Sequence, residues 1–132
     1  MNPLCERLQS VEQRIRAACL RFDRDPESVS LLAVSKTRPA GDVRTARACG
    51  QRLFGENYVQ EAVEKVRALG DLDLQWHFIG RIQSNKTRTI ASYFDWVHSI
   101  DSARHARRLG EHRPEGLPPI NACLQVNLDA EA

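Results

Sequence analysis

Apolar residues recur at helical spacing over the first positions of the chain: Leu4, Leu8, Val11, Ile15, Ala18, Cys19 and Phe22. Asn2 suits the cap of this helix and Pro3 its first turn. The segment 23–28 contains Pro26 and reads as a loop. The pattern then changes to short, mostly apolar runs: VSLLAV at 29–34, RLFG at 52–55, QWHFIG at 75–80, DWVHSI at 95–100 and INACLQVNL at 120–128. The first of these suits a strand buried on both faces. Their starts lie about 20 to 25 residues apart, and amphipathic helical segments fill the intervals. Gly50 and Gly70 mark the ends of two of those helices, Ser84 or Asn85 can cap a third running toward Tyr93, and Ser102 can cap a fourth ending near Gly110. Strands and helices alternating at this interval predict parallel strands joined by right-handed crossovers. The fold is then either an open doubly wound sheet or part of a (β/α) barrel. Five units do not close an eight-stranded barrel, which takes about 250 residues. The last run is followed only by residues 129–132, so we expect an incomplete barrel in one domain over residues 1–132. Its first and fifth strands would be open edges that favour self-association.

In parallel α/β folds functional groups gather at the C-terminal ends of the strands. Those ends read Ser35-Lys36-Thr37, then Gly55-Glu56-Asn57-Tyr58, then Trp76-His77-Phe78-Ile79-Gly80, then His98-Ser99, and last Asn127-Leu128-Asp129. Lys36 directly follows an apolar strand and shares a face with Leu32 and Val34 by period-two alternation. At a barrel mouth its amine would be partly desolvated, which favours the neutral form that attacks an aldehyde. The plainer reading is a surface lysine that ends a strand. Asn57 offers a donor and an acceptor without charge, or else caps the helix that follows. Glu56, if buried, needs a cationic partner from a nearby Lys or Arg. His77 lies in an apolar strand, where a satisfied core histidine is the ordinary outcome. Ser84-Asn85-Lys86 at a helix start can bind an anion or simply cap. His98 and Ser99 lack a visible third member for a hydrolytic triad.

Composition narrows the classes. The 132 residues are 42% apolar and 27% charged, with a net charge of +2. That is ordinary for a globular domain and too weakly basic to predict nucleic-acid binding. No run approaches the roughly 20 apolar residues of a membrane span, no secretory signal is apparent, and a reducing cytoplasm is the simplest home. Cys5, Cys19, Cys49 and Cys123 form no CxxC pair and read as small buried hydrophobes. Neither GxGxxG nor GxxxxGK[ST] occurs, which lowers the odds of a nucleotide enzyme.

Taken together, LLAVSKTRP (31–39), FGENYVQE (54–61), WHFIGRIQSNK (76–86), WVHSID (96–101) and CLQVNL (123–128) resemble the YggS/PROSC family of pyridoxal 5′-phosphate (PLP) homeostasis proteins. The resemblance runs from about Leu4 to the chain end. It implies a (β/α)8 TIM barrel of the alanine racemase N-terminal type, here only about its first five strand–helix units. It also implies PLP held as a Schiff base on Lys36, with Asn57 in the cofactor pocket and His77 and the 79–80 region lining it. It further implies a non-catalytic carrier that buffers PLP or delivers it to PLP-dependent apo-enzymes. Racemases of this fold need a second acid–base group from an added β domain, and Tyr58 and Tyr93 are poor substitutes. The family's phosphate-binding positions fall beyond residue 132. The alternatives are a racemase-like PLP enzyme and a PLP-independent α/β interaction module.

Overall fold

The computed structural model describes residues 2–128; Asp129, expected at the end of the fifth run, lies outside them. Helix α1 (Pro3–Arg21) leads into an alternation of β1 (Ala33–Val34), α2 (Ala40–Ala48), β2 (Leu53–Glu56), α3 (Val59–Ala68), β3 (Gln75–Phe78), α4 (Thr87–Tyr93), β4 (Trp96–Ile100), α5 (Ala103–His112) and β5 (Asn121–Leu124). The strands pair in sequence order, β1-β2-β3-β4-β5, and every pair is parallel. A doubly wound sheet reverses its strand order at a switch point; these five strands do not. With right-handed crossovers, travel in one direction puts every helix on one face. This is the wall of a (β/α) barrel.

Strand register separates the two faces, because partners in a parallel pair point the same way. Phe54 and Trp76 are partners, as are Phe78 and Val97. All four are buried, together with Val43, Ala62, Ile90 and Leu109 from the helices. Phe78 meets Phe94 edge to face at 5.2 Å. Each such aromatic contributes about 1.5–3 kcal/mol by burial. The opposite face carries Val34, Gly55, His77, Trp96 and Asn121 in one register row. It is only half covered: Val34 is 52% exposed.

Several local signals act as read. The Asn2 side chain accepts from the Leu4 N–H at 2.8 Å, Ser102 caps α5 through the His105 N–H, and Gly50 takes φ +103° after α2, where only glycine is relaxed. Other expectations need correction. The first strand spans two residues rather than six, and it is not buried on both faces, because among the described residues nothing covers one side of it. The fifth stops at Leu124, and Leu124 and Val126 are exposed. Of the apolar stripe read along the first helix, only Cys19 is buried; Leu4, Leu8 and Ile15 are half-buried, and Val11, Ala18 and Phe22 are exposed, since the helix packs along α2 and not across the sheet. Helix α4 starts after a 3-10 turn over Ser84–Lys86, with no side chain capping it.

The cysteine reading also changes. Cys5 and Cys49 come together where α1 lies along the end of α2, with 5.7 Å between their Cα atoms, a separation that a disulfide spans. The helix–helix contact brings together residues whose sequence spacing fits no motif. Cys19 is buried and free, as expected, and Cys123 is half-buried and free. Closing a loop of 44 residues removes unfolded-state entropy equivalent to about 4 kcal/mol. Urea unfolding in the presence of dithiothreitol should therefore show a clearly lower midpoint than without it. Cys5→Ser should abolish the difference between the two conditions.

Candidate functional site

The C-terminal strand ends form a continuous rim. The Ser35 N–H donates to the Gly55 carbonyl at 3.0 Å, and the Ile79 N–H donates to the Glu56 carbonyl at 3.0 Å. Lys36, Asn57 and Gly80 follow these links directly, so they sit at the same rim on neighbouring units. Ser99 adds the next link, its hydroxyl donating to the Gly80 carbonyl. Asn57 and Gly80 approach so closely that a Cβ at residue 80 would overlap the Asn57 carbonyl oxygen. Asn57 Oδ1 is buried and receives no hydrogen bond among the described residues, which leaves an acceptor unused at a cost of about 1–3 kcal/mol. A cleft of about 450 Å³ opens beside it, lined by Asn57, Tyr58, Gly80, Arg81 and Lys86 among others.

Lys36 is exposed, and its amine makes no hydrogen bond or ion pair among the described residues. The partial desolvation expected of it is not seen, because among the described residues no second layer covers the face it borders. Its main chain is nonetheless firmly held. Glu56 alternates with Gly55 and points toward the helices, where it is fully buried. There it pairs with Lys65 of α3 at 3.0 Å. Lys65 also donates to the Ser35 carbonyl at 2.6 Å and to Glu61 at 2.8 Å, and the Ser35 hydroxyl donates to Glu56. Glu61 accepts from the Thr37 N–H at 2.5 Å. The hydrogen bond from the Lys65 ammonium is the main reason the Glu61 carboxyl lies below the usual carboxylate range. Thr37 has φ +64°, a left-handed conformation that a β-branched residue rarely adopts.

His77 lies below the rim on the half-covered face, opposite the bare backbone of Gly55. Its Nε2–H donates to Gln75 Oε1 at 2.8 Å. That leaves Nδ1 to accept from His98 Nε2–H, also at 2.8 Å. The ring stacks on Trp96 at 5.5 Å, nearly parallel. Burial, and next the neighbouring His98, push the His77 imidazole down to about 4. Burial also lowers His98. With His98 committed to His77 and Ser99 to Gly80, no hydrolytic triad forms from these residues. Ser84, the other hydroxyl considered, meets His105 at 3.1 Å.

The structure thus places Lys36 and Asn57 on adjacent units at one rim, with His77 deeper on the next strand. It adds residues the sequence reading passed over: Ser35, Glu61 and Lys65 around the Lys36 loop, and Gln75 and Trp96 around His77. The Glu61–Lys65 spacing of four on a predicted helix was the available signal, but the same spacing is common on solvated helix faces.

Comparison with known proteins decides the family. The sequence profile of the alanine racemase N-terminal domain matches residues 7–131. The chain belongs to the alanine racemase N-terminal domain family. Within that family it is 58% identical, over 132 residues, to a Pseudomonas aeruginosa protein named pyridoxal phosphate homeostasis protein, covering 100% of this chain and 57% of the relative. An Escherichia coli K12 protein of the same name is 51% identical, with 99% and 57% covered. PipY of Synechococcus elongatus PCC7942, solved with PLP bound, superposes with a TM-score of 0.79 at 48% identity, covering 98% of this chain and 57% of PipY. The chain therefore spans a little over half the length of these family members.

Two outcomes follow. Gly80→Ala should destabilise the fold by roughly 1–3 kcal/mol through the clash with Asn57, read as a lower thermal midpoint, and should shift the Asn57 amide resonance. His77 binds a proton in the unfolded chain near its ordinary value of 6.5 but in the fold only near 4. Its contribution to stability is therefore fully present above pH 6.5 and declines as pH falls toward 4, by on the order of 1 kcal/mol per pH unit. Urea titrations between pH 7 and pH 5 should show this slope, and His77→Gln should flatten it.

Proposed function

We propose that this family member carries pyridoxal 5′-phosphate as a Schiff base on Lys36, as part of intracellular PLP homeostasis. The observation that carries the reading is the pairing, at one rim, of an unengaged primary amine with the buried, donor-free carbonyl oxygen of Asn57 one unit away. The residues fit the group: the amine supplies the nucleophile for an aldehyde, and Asn57 Oδ1 supplies an acceptor for a ring hydroxyl. The PLP-bound state of PipY and the names of the relatives at 51–58% identity point the same way. When bound, PLP supplies an electron sink for amino-acid chemistry.

The role proposed is carriage rather than turnover. His77 is held neutral and committed to Gln75 and His98, so it serves to shape the pocket wall and not to exchange protons. Tyr93 accepts from Arg67 at 2.7 Å, on the helix side of the sheet. Tyr58 is exposed at the start of α3. The reading assigns neither of them as a second acid–base group. Under this reading the single, incomplete barrel domain of residues 1–132 presents one attachment lysine, and recipient apo-enzymes take the cofactor in the cytoplasm. Among the described residues no helix is long and apolar enough to cross a membrane.

The test is borohydride trapping with PLP followed by peptide mapping. The reading expects a reduced pyridoxyl group on Lys36 above all other lysines, an absorbance band on PLP addition, and loss of both in Lys36→Ala. Label spread evenly over the lysines would overturn it. Lys36-dependent turnover of any amino acid would replace carriage with catalysis.

A further inference from the structure

We propose that Glu61 and Lys65, with buried Glu56, are positioning residues. They grip the main chain on both sides of Lys36 and fix the direction in which its side chain leaves the rim. The inference rests on the reading of Lys36 as the attachment point, and it explains a feature that reading leaves over: a costly cluster of charge placed just behind an exposed lysine.

The geometry is specific to the Lys36 loop. The Ser35 N–H donates to the Gly55 carbonyl. The Ser35 carbonyl accepts from Lys65 at 2.6 Å and from the Arg38 N–H at 3.1 Å. The Lys36 carbonyl accepts from the Thr37 hydroxyl at 2.6 Å, and the Thr37 N–H is taken by Glu61 at 2.5 Å. The main chain before and after Lys36 is thus bound to charged groups, while its own amine is bound to nothing among the described residues. The left-handed Thr37, at φ +64°, needs such over-determination to persist.

Stability alone is a poor explanation of the cluster. A buried ion pair returns about what apolar packing would, or less. Glu61 is part-exposed, which weakens its contribution further. What apolar side chains cannot do is hold a carbonyl on one side of Lys36 and an N–H on the other. Lys65 and Glu61 do both at once, one helical turn apart on α3, while Glu56 at the end of β2 anchors the ammonium. All three belong to the unit that follows Lys36 in the chain, so that unit sets the amine's orientation from the helix side. The half-covered face stays free for whatever the amine meets.

The test compares Glu61→Ala with Glu61→Gln, which keeps an oxygen to accept from the Thr37 N–H. Two readouts are taken on the same samples: the 15N order parameter of the Lys36 amide without PLP, and the rate of the Lys36 pyridoxyl adduct by borohydride trapping. In Glu61→Ala the order parameter should fall from about 0.85 toward 0.6, and the adduct rate should drop about tenfold. Glu61→Gln should recover most of both. Three results would overturn the inference: neither readout moving in Glu61→Ala, the order parameter falling with the adduct rate unchanged, or Glu61→Gln behaving like Glu61→Ala. If the unaltered chain forms no Lys36 adduct while Glu61→Ala still loosens the Lys36 amide, the attachment reading fails and the grip stands. Lys65→Met, checked for retained helical circular dichroism, should lower both readouts at least as far.

Discussion

An ammonium enclosed by two carboxylates and a main-chain carbonyl fixes how the first two units of this fold sit against each other. Lys65 and Glu56 are almost sealed from water, and a charge in that position is tolerable only while its partners stay within about 3 Å. The pair therefore acts as a distance constraint. It joins the end of β2 to α3, and through Ser35 it joins both to the end of β1. The short first strand, with only Ala33 and Val34 in register, would otherwise be the least secured edge of the sheet. Charge at its C-terminal end does what ladder hydrogen bonds along its length do not.

The two faces of the sheet show how the same backbone separates stability from chemistry. Toward the helices the register row runs through phenylalanine, tryptophan and valine, closing on Glu56 and Lys65. Toward the other side it runs through valine, glycine, histidine and tryptophan, with a hydrogen-bonded line from Gln75 to His77 to His98. Gly55 leaves room on that side: a side chain there would press on Ile79 and Leu32. At the rim Gly80 plays the matching part beside Asn57. Both glycines are read best as gaps shaped by neighbours, since neither has a left-handed backbone.

Much of this was legible beforehand. The spacing of apolar runs revealed the alternation of strands and helices; reading strand ends in order listed Lys36, Asn57 and His77 among the candidates, and the family resemblance, not the spacing, gave them their expected roles. That Glu56 would need a cationic partner also followed from its place in a buried strand. Its partner's identity did not, because Lys65 looks like any lysine on an amphipathic helix until the helix is docked. The choice between a doubly wound sheet and a barrel wall likewise waited for strand order, which no local pattern encodes. The extent of β1 was overestimated because apolar content marks burial, whereas strand assignment depends on a pairing neighbour. The Cys5–Cys49 link was invisible for the same reason: it depends on how α1 lies along α2.

The strictly sequential strand order has a further meaning. Among the described residues each strand bonds only to the ones before and after it in the chain, so this stretch of the sheet behaves as a linear array whose cohesion is a sum of nearest-neighbour terms. Structure can spread along these five strands from any well-formed step. A defect in one step is felt mainly by the two that flank it. Evolution could lengthen, trim or recombine an architecture of this kind one step at a time.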